Sequence, residues 1–101
     1  MTGGWTGLAT YLLEAINKTL KKLEPAKIKQ VAVIVESVAS ALKALVPLMP
    51  DKYQAAVSLT IETVSKLAEA LKSGDIDEKE LDDEINAIEA AIQAWKDVKR
   101  K

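Results

Sequence analysis

The helical character of the chain is clearest in residues 76–95, which read IDEKELDDEINAIEAAIQAW. Asp77 is a preferred N-cap residue, and Glu80 three residues later completes a capping box. An isoleucine before the cap and a leucine four residues after it form a hydrophobic staple. Apolar residues then recur at steps of four and three, which predicts an amphipathic helix over 78–99.

Three earlier segments have the same helical spacing of apolar residues, with polar residues on the opposite side. They are residues 7–23, 25–46 and 51–72. Pro25 suits the first turn of a new helix, whereas Pro47 and Pro50 end one helix and begin the next. Gly74 suits the left-handed position that commonly follows a helix. The sequence therefore predicts four helices.

The predicted fold class is all-α, a four-helix antiparallel up-down-up-down bundle. All three connections are short, so we expect consecutive helices to pack as antiparallel neighbours. The 101 residues suit one domain, which predicts a single helical domain over 1–101. Residues 31–35 read VAVIV and are β-branched enough for a strand, but no second strand candidate exists to pair with them.

The apolar faces predict which residues form the core. In helix 1, the expected core row has steps of four and three and consists of Leu8, Leu12, Ile16, Leu20 and Leu23. Helix 2 is apolar around more than half of its circumference, so we expect it to be the most buried helix. Val33 is an exception because it lies within the polar arc of that helix, where a loop or a partner would cover it.

Composition excludes most catalytic chemistry. The chain has no cysteine and no histidine, so it lacks disulfides, thiolate zinc sites, Ser-His-Asp triads and histidine-containing metal motifs. The acidic run at the start of helix 4 does not fit a calcium loop counted from Asp75. Glu80 stands at the glycine position and Asn86 at the bidentate glutamate position. We therefore predict no enzyme activity, no metal, no cofactor and no small-molecule ligand.

The net charge of −1 gives no long-range attraction for nucleic acid or an anionic membrane. Five lysines gather around the first turn, at positions 18, 21, 22, 27 and 29, but arginine and interleaved aromatic residues are missing there. Nucleic acid is therefore not a predicted partner. A membrane surface stays open as an alternative to a protein partner.

Two features bear on localisation. The most apolar segment, 31–49, is interrupted by Glu36, Lys43 and Pro47, so we expect no transmembrane helix. The first residues lack the basic start and the long apolar stretch of a signal peptide. These features predict a cytoplasmic chain or a component of an assembled particle.

The candidate partner contacts are apolar or small residues at positions that the core of a single bundle does not need to bury. They are Trp5, Val33, Ala87, Ala91 and Ala94. The three alanines broaden the apolar face of helix 4. We predict a non-enzymatic interaction or assembly protein that binds itself or another protein through helices 2 and 4, for example a phage or filament structural subunit. The alternative is a protein of the membrane surface, such as an immunity or lysis-associated factor.

Overall fold

The computed structural model describes residues 4–74 and 76–100, and these residues form an all-α, antiparallel up-down-up-down four-helix bundle. The helices are α1 (Gly4–Lys21), α2 (Ile28–Leu45), α3 (Gln54–Lys72) and α4 (Glu78–Arg100). Short 3-10 turns connect them at Pro25–Lys27, Val46–Leu48 and Asp51–Tyr53. The predicted fold class is confirmed. The first helix begins at Gly4 rather than at residue 7.

Local signals fix the turn between α3 and α4. The backbone N–H of Glu80 donates to Oδ1 of Asp77 at 2.7 Å, so Asp77 is the N-cap as predicted. The N–H of Leu81 donates to the Asp77 carbonyl at 3.0 Å. Gly74 has a φ of 76°, and its N–H donates to the carbonyl of Leu71 at 3.0 Å. The predicted left-handed glycine is therefore confirmed.

The helices are not packed equally around the bundle. Helix α1 packs on α4, α4 on α3, and α3 on α2, whereas α1 and α2 make few contacts with each other. The expectation that all consecutive helices pack closely is therefore wrong for the first pair. Glu24 between them has extended backbone angles, φ −102° and ψ 139°, and a 3-10 turn follows before α2 begins. The bundle is open along its α1–α2 edge.

A tryptophan joins α3 to α4 inside the core. Trp95 and Thr60 are both fully buried, and the indole Nε1–H of Trp95 donates to Oγ1 of Thr60 at 2.7 Å. The ring of Tyr53 lies against Trp95 with the ring centroids 5.6 Å apart. These contacts close the end of the bundle at which α3 begins and α4 finishes.

The buried row of α1 differs in part from the predicted one. The row that faces the core includes Ala9 and Leu13 together with Ile16 and Leu20. Leu8 is 43% exposed, and Leu12 is half-buried. Two apolar rows lie next to each other on this helix, and the one that faces α4 is the buried one. The prediction was therefore right for the second half of α1 and wrong for the first half.

The expectation that helix 2 is the most buried helix is also wrong. Helix α3 has more buried positions than α2, because α3 lies between two neighbours and α2 lies at the open edge. Val33 is 62% exposed and Ile34 is 58% exposed. Much of the apolar circumference of α2 therefore stays at the surface.

Candidate functional site

An uncharged surface covers the outer sides of α1 and α2 along their open edge. We call this surface the α1–α2 face. Its members are the exposed or half-buried residues Leu8, Tyr11, Leu12, Ala15, Thr19, Ile34, Ser37, Val38, Ala41 and Leu45. At 100° per residue they occupy one arc of each helix. Although 29% of the chain is charged, none of these ten positions carries a charge.

A groove runs between the two helices in the middle of this face. It has a volume of about 150 Å³ and is lined by four residues from each helix. Those residues are Leu12, Ala15, Ile16, Thr19, Val31, Ile34, Val35 and Val38. The single polar side chain among them is that of Thr19, whose hydroxyl donates to the carbonyl of Ala15 at 2.9 Å. The lining therefore presents hydrocarbon to solvent, which is unfavourable for an isolated chain.

The α1–α2 face continues beyond the groove through more exposed side chains. Tyr11 is 71% exposed, and Leu8 lies one turn further towards the start of α1. On α2, Ala41 and Leu45 follow Ile34 and Val38 at seven-residue intervals, so they continue the same rows. The face therefore extends along most of both helices.

The charged residues of α2 lie on its other side, towards α3. Glu36 and Lys43 line a second cavity, of about 660 Å³, together with Glu69 and Lys72 of α3. The Lys72 ammonium pairs with the Glu36 carboxylate across this cavity. Their hydrogen bond raises the pKa of Lys72. Because these opposite charges pair with each other, we regard this cavity as a polar contact between helices and not as a ligand site.

The five residues predicted from the sequence do not come together in one place. Trp5 is half-buried and packs against the core. Val33 is exposed but borders the polar cavity and not the apolar groove. Ala91 is fully buried in the core, and Ala87 and Ala94 are half-buried.

Sequence reasoning missed the α1 half of the face. The periodicity places Leu8 and Leu12 in the core and gives no role to Tyr11. A signal was present, because Leu8, Tyr11, Leu12 and Ala15 form an uncharged patch at helical spacing beside the row that is buried. Helix α1 therefore carries more apolar circumference than one core contact requires.

Among the titratable groups, Glu84 on α4 is a half-buried carboxyl. The pKa of Glu84 is raised, first by desolvation and then by the neighbouring Asp83 carboxylate, while Lys66 opposes the shift. In residues 4–74 and 76–100, no group of three or more acidic side chains could hold a metal ion. The calcium pattern counted from Asp75 begins outside the described residues. The five lysines at positions 18–29 are all exposed, and Lys27 lies 4.0 Å from the Glu24 carboxylate.

One segment has the length and composition of a membrane span. Within the described residues, an 18-residue window of Pro25–Leu48 has a mean hydropathy of 1.9, and 28% of that window is buried. This differs from the expectation that Glu36, Lys43 and Pro47 rule out a span. Core helices of bundles and signal sequences satisfy the same criterion, but a core helix would be mostly buried. The hydropathy of α2 therefore reflects apolar residues at the surface.

The chain matches no protein-family model, no curated protein and no solved structure. No residue role can therefore be carried over from a relative. The assignment of function depends on the geometry of the α1–α2 face.

Proposed function

We propose that this chain is a non-enzymatic interaction protein that docks on a protein surface through the α1–α2 face. The observation that carries the proposal is the open apolar groove between two helices, together with the ten uncharged positions of the α1–α2 face around it. Helix α2 keeps the role predicted from the sequence. Helix α1 takes the place of helix 4, because Ala91 of α4 is buried in the bundle core and Ala94 packs against it.

The size of the face supports a docking role. Each helix has 18 residues, so it is about 27 Å long at 1.5 Å per residue. At a helix diameter of about 10 Å, two helices side by side then present a surface on the order of 500 Å². Apolar patches of this size are at the upper end for monomers and often mark interaction sites.

Chemistry supports a binding role over catalysis. The α1–α2 face has no titratable side chain except the Tyr11 phenol, so it offers no acid–base pair and no activated nucleophile. Apolar side chains in contact with water contribute favourable free energy when a partner covers them. A structural subunit of a phage or filament fits this description.

Photo-crosslinking in cells that naturally produce the chain tests the proposal. p-Benzoylphenylalanine at position 11 replaces one exposed aromatic residue by another, and the same probe at Ser58 on the outer side of α3 is the matched control. We expect protein adducts from position 11 and few from position 58, with loss of the adducts in Ile34→Lys. Equal yields from both positions, or adducts with lipid alone, would contradict a protein-docking role.

A membrane surface is the second candidate, and the hydropathy of Pro25–Leu48 favours it. An interfacial helix usually has lysines along both sides of its apolar face. Here the exposed lysines at 18–29 gather at one end of the face, which gives weaker support. Co-flotation with anionic vesicles at low salt, lost in Ile34→Glu, is the expected result for this candidate, and a chain that stays unbound would exclude it.

A further inference from the structure

We infer that the occupant of the α1–α2 face is a second copy of this chain, packed with its α1 and α2 antiparallel to those of the first copy. This inference rests on the proposed function, because it names the partner of the same face. It is carried by three features of the described residues. These are the absence of charge within the face, the position of the lysines at one end, and the area available.

A surface without charge can meet itself at little electrostatic cost. In a two-fold dimer the same patch lies on both sides of the interface, so a charged residue within the patch would often face its own copy. The ten positions of the face avoid this problem. The net charge of −1 adds little repulsion between whole copies. Burial of the face therefore leaves no unpaired charge behind.

The lysines decide the orientation. Lys22 and Lys27 are exposed between the end of α1 and the start of α2, and Lys18 lies one turn before the end of α1. A parallel arrangement would bring this end of one copy against the same end of the other. An antiparallel arrangement separates the two ends by about 27 Å, the length of an 18-residue helix. This distance is more than three Debye lengths, each about 8 Å at physiological salt, so repulsion between the lysines is screened.

The shape of the face suits helix-on-helix packing. An apolar cavity of about 150 Å³ accommodates a benzene-sized group, and the exposed side chain of Ile34 lies at its edge. Ser37 lies near the middle of α2, at the level where a two-fold axis across the helix would pass, on the border between the α1–α2 face and the second cavity, which it also lines. A small residue there lets two helices approach closely. Ile34 of one copy then packs beside Val38 and Ala41 of the other.

The area sets the strength of the dimer. About 500 Å² from each copy gives a total near 1,000 Å², which is close to the lower limit of specific interfaces. We therefore expect a dimer that dissociates on dilution, with a dissociation constant on the order of micromolar. Because the interface is apolar, high salt should leave the dimer unchanged or strengthen it.

Sedimentation velocity from about 1 µM to about 500 µM, a range that brackets micromolar affinity, tests self-association. The wild-type chain should change from monomer to dimer across this range. Ile34→Lys should weaken the dimer by about 100-fold or more, because it buries an unpaired charge twice per dimer. Leu59→Lys is the matched control, since Leu59 is an exposed leucine on α3 outside the face. It should associate like the wild type.

Tyr11→Lys is a second variant on the α1 half, at a side chain so exposed that folding should not depend on it. Circular dichroism checks that all variants stay helical. A wild-type chain that is monomeric throughout the range would overturn the inference. Equal weakening by Ile34→Lys and Leu59→Lys, or a dimer dissociated by high salt, would also overturn it.

Disulfide trapping tests the orientation, and the chain has no cysteine of its own to interfere. Ser37→Cys near the middle of α2 should form a covalent dimer under mild oxidation. Gln30→Cys near the start of α2 should not, because an antiparallel partner places the two copies of position 30 far apart. A covalent dimer that forms as readily from Gln30→Cys as from Ser37→Cys would refute the antiparallel arrangement.

The outcomes separate this inference from the proposed function. The chain could be monomeric in solution and yet crosslink through position 11 to a different protein in cells. This result would contradict self-association but would still support docking on a protein. A monomer that instead co-floats with vesicles, and gives lipid adducts alone, would overturn both.

Discussion

The substitution Thr60→Val tests whether the contact between α3 and α4 stabilises the bundle as the structure indicates. The hydroxyl of Thr60 donates to the carbonyl of Ala56 at 2.8 Å and accepts from Nε1 of Trp95 at 2.7 Å. Valine has nearly the same shape as threonine but cannot accept a hydrogen bond. The indole N–H of Trp95 would then remain fully buried without a partner.

The size of the effect follows from that unsatisfied donor. A buried polar group that loses its partner costs about 1–3 kcal/mol in the free energy of unfolding, and we take a cost of about 2 kcal/mol. The carbonyl of Ala56 lies inside α3 and keeps the backbone hydrogen bond of the helix, so it adds little. For a domain of this length, a loss of about 2 kcal/mol lowers the Tm by about 8 to 16 °C.

The assay is urea and thermal unfolding, at one fixed protein concentration, because self-association would make the Tm depend on concentration. Thr60→Ser keeps the hydroxyl and loses one methyl group, so it should cost only about 1 kcal/mol. In a Trp95→Phe background the donor is gone, and Thr60→Val should then cost almost nothing. Equal costs of Thr60→Val in the two backgrounds would refute the reasoning, because the effect would not depend on the indole hydrogen bond.

Two further predictions concern α4. Asp77→Ala removes the side-chain acceptor of the Glu80 N–H and should lower the free energy of unfolding by about 1 kcal/mol, measured in urea. The control is Lys79→Ala, which leaves that acceptor in place. Equal free energies of unfolding for the two variants would contradict the capping role of Asp77. Glu84→Gln should raise the Tm at neutral pH, because the raised pKa of Glu84 means that its ionised form is disfavoured in the folded chain. That gain should fade as the pH falls through the pKa of Glu84 and the wild-type carboxyl becomes neutral. A gain independent of pH, or equal in the exposed Glu89→Gln, would refute this cause.

Much of the fold could be predicted from the sequence because its signals are local. Asp77 accepts from a backbone N–H three residues away, and Gly74 closes α3 through a neighbouring turn, so neither depends on how the helices pack. The proline-containing turns also lie where the sequence placed the helix breaks. The helix number and the antiparallel order follow from these local features and from the short connections.

The buried side of α1 could not be predicted, because two apolar rows lie side by side on it. Leu8 and Leu12 form one row, and Ala9 and Leu13 form the other, offset by one residue or about 100°. Periodicity predicts an apolar side but cannot choose between two adjacent rows. The choice depends on which helix lies beside α1, and that helix is α4, at the other end of the sequence.

The same reason explains why the candidate site was predicted only in part. The sequence indicated excess apolar surface on helix 2, but Val33, the residue singled out there, lies on the polar-cavity side, and Ile34 one residue later lines the groove. The apolar surface predicted in excess on helix 4 is reduced because α4 packs on both α1 and α3, with Ala91 buried in the core and Ala94 packed against it. A helix that packs on two neighbours, such as α4, needs a wide apolar face to contact both of them. A helix at the open edge, such as α2, packs closely on one neighbour and can bury only part of such a face.

The open edge does not arise from repulsion, because apolar side chains line both of its sides. Leu12 on α1 and Val38 on α2 would gain from closer contact, yet the core rows of both helices already point inward, towards α3 and α4. Turning either helix towards the groove would move core residues such as Leu13 and Leu42, which are now almost fully buried. The isolated bundle therefore cannot cover this surface without loss elsewhere. A partner with its own uncharged helix pair can cover it at no such cost, and a second copy of the chain meets that requirement.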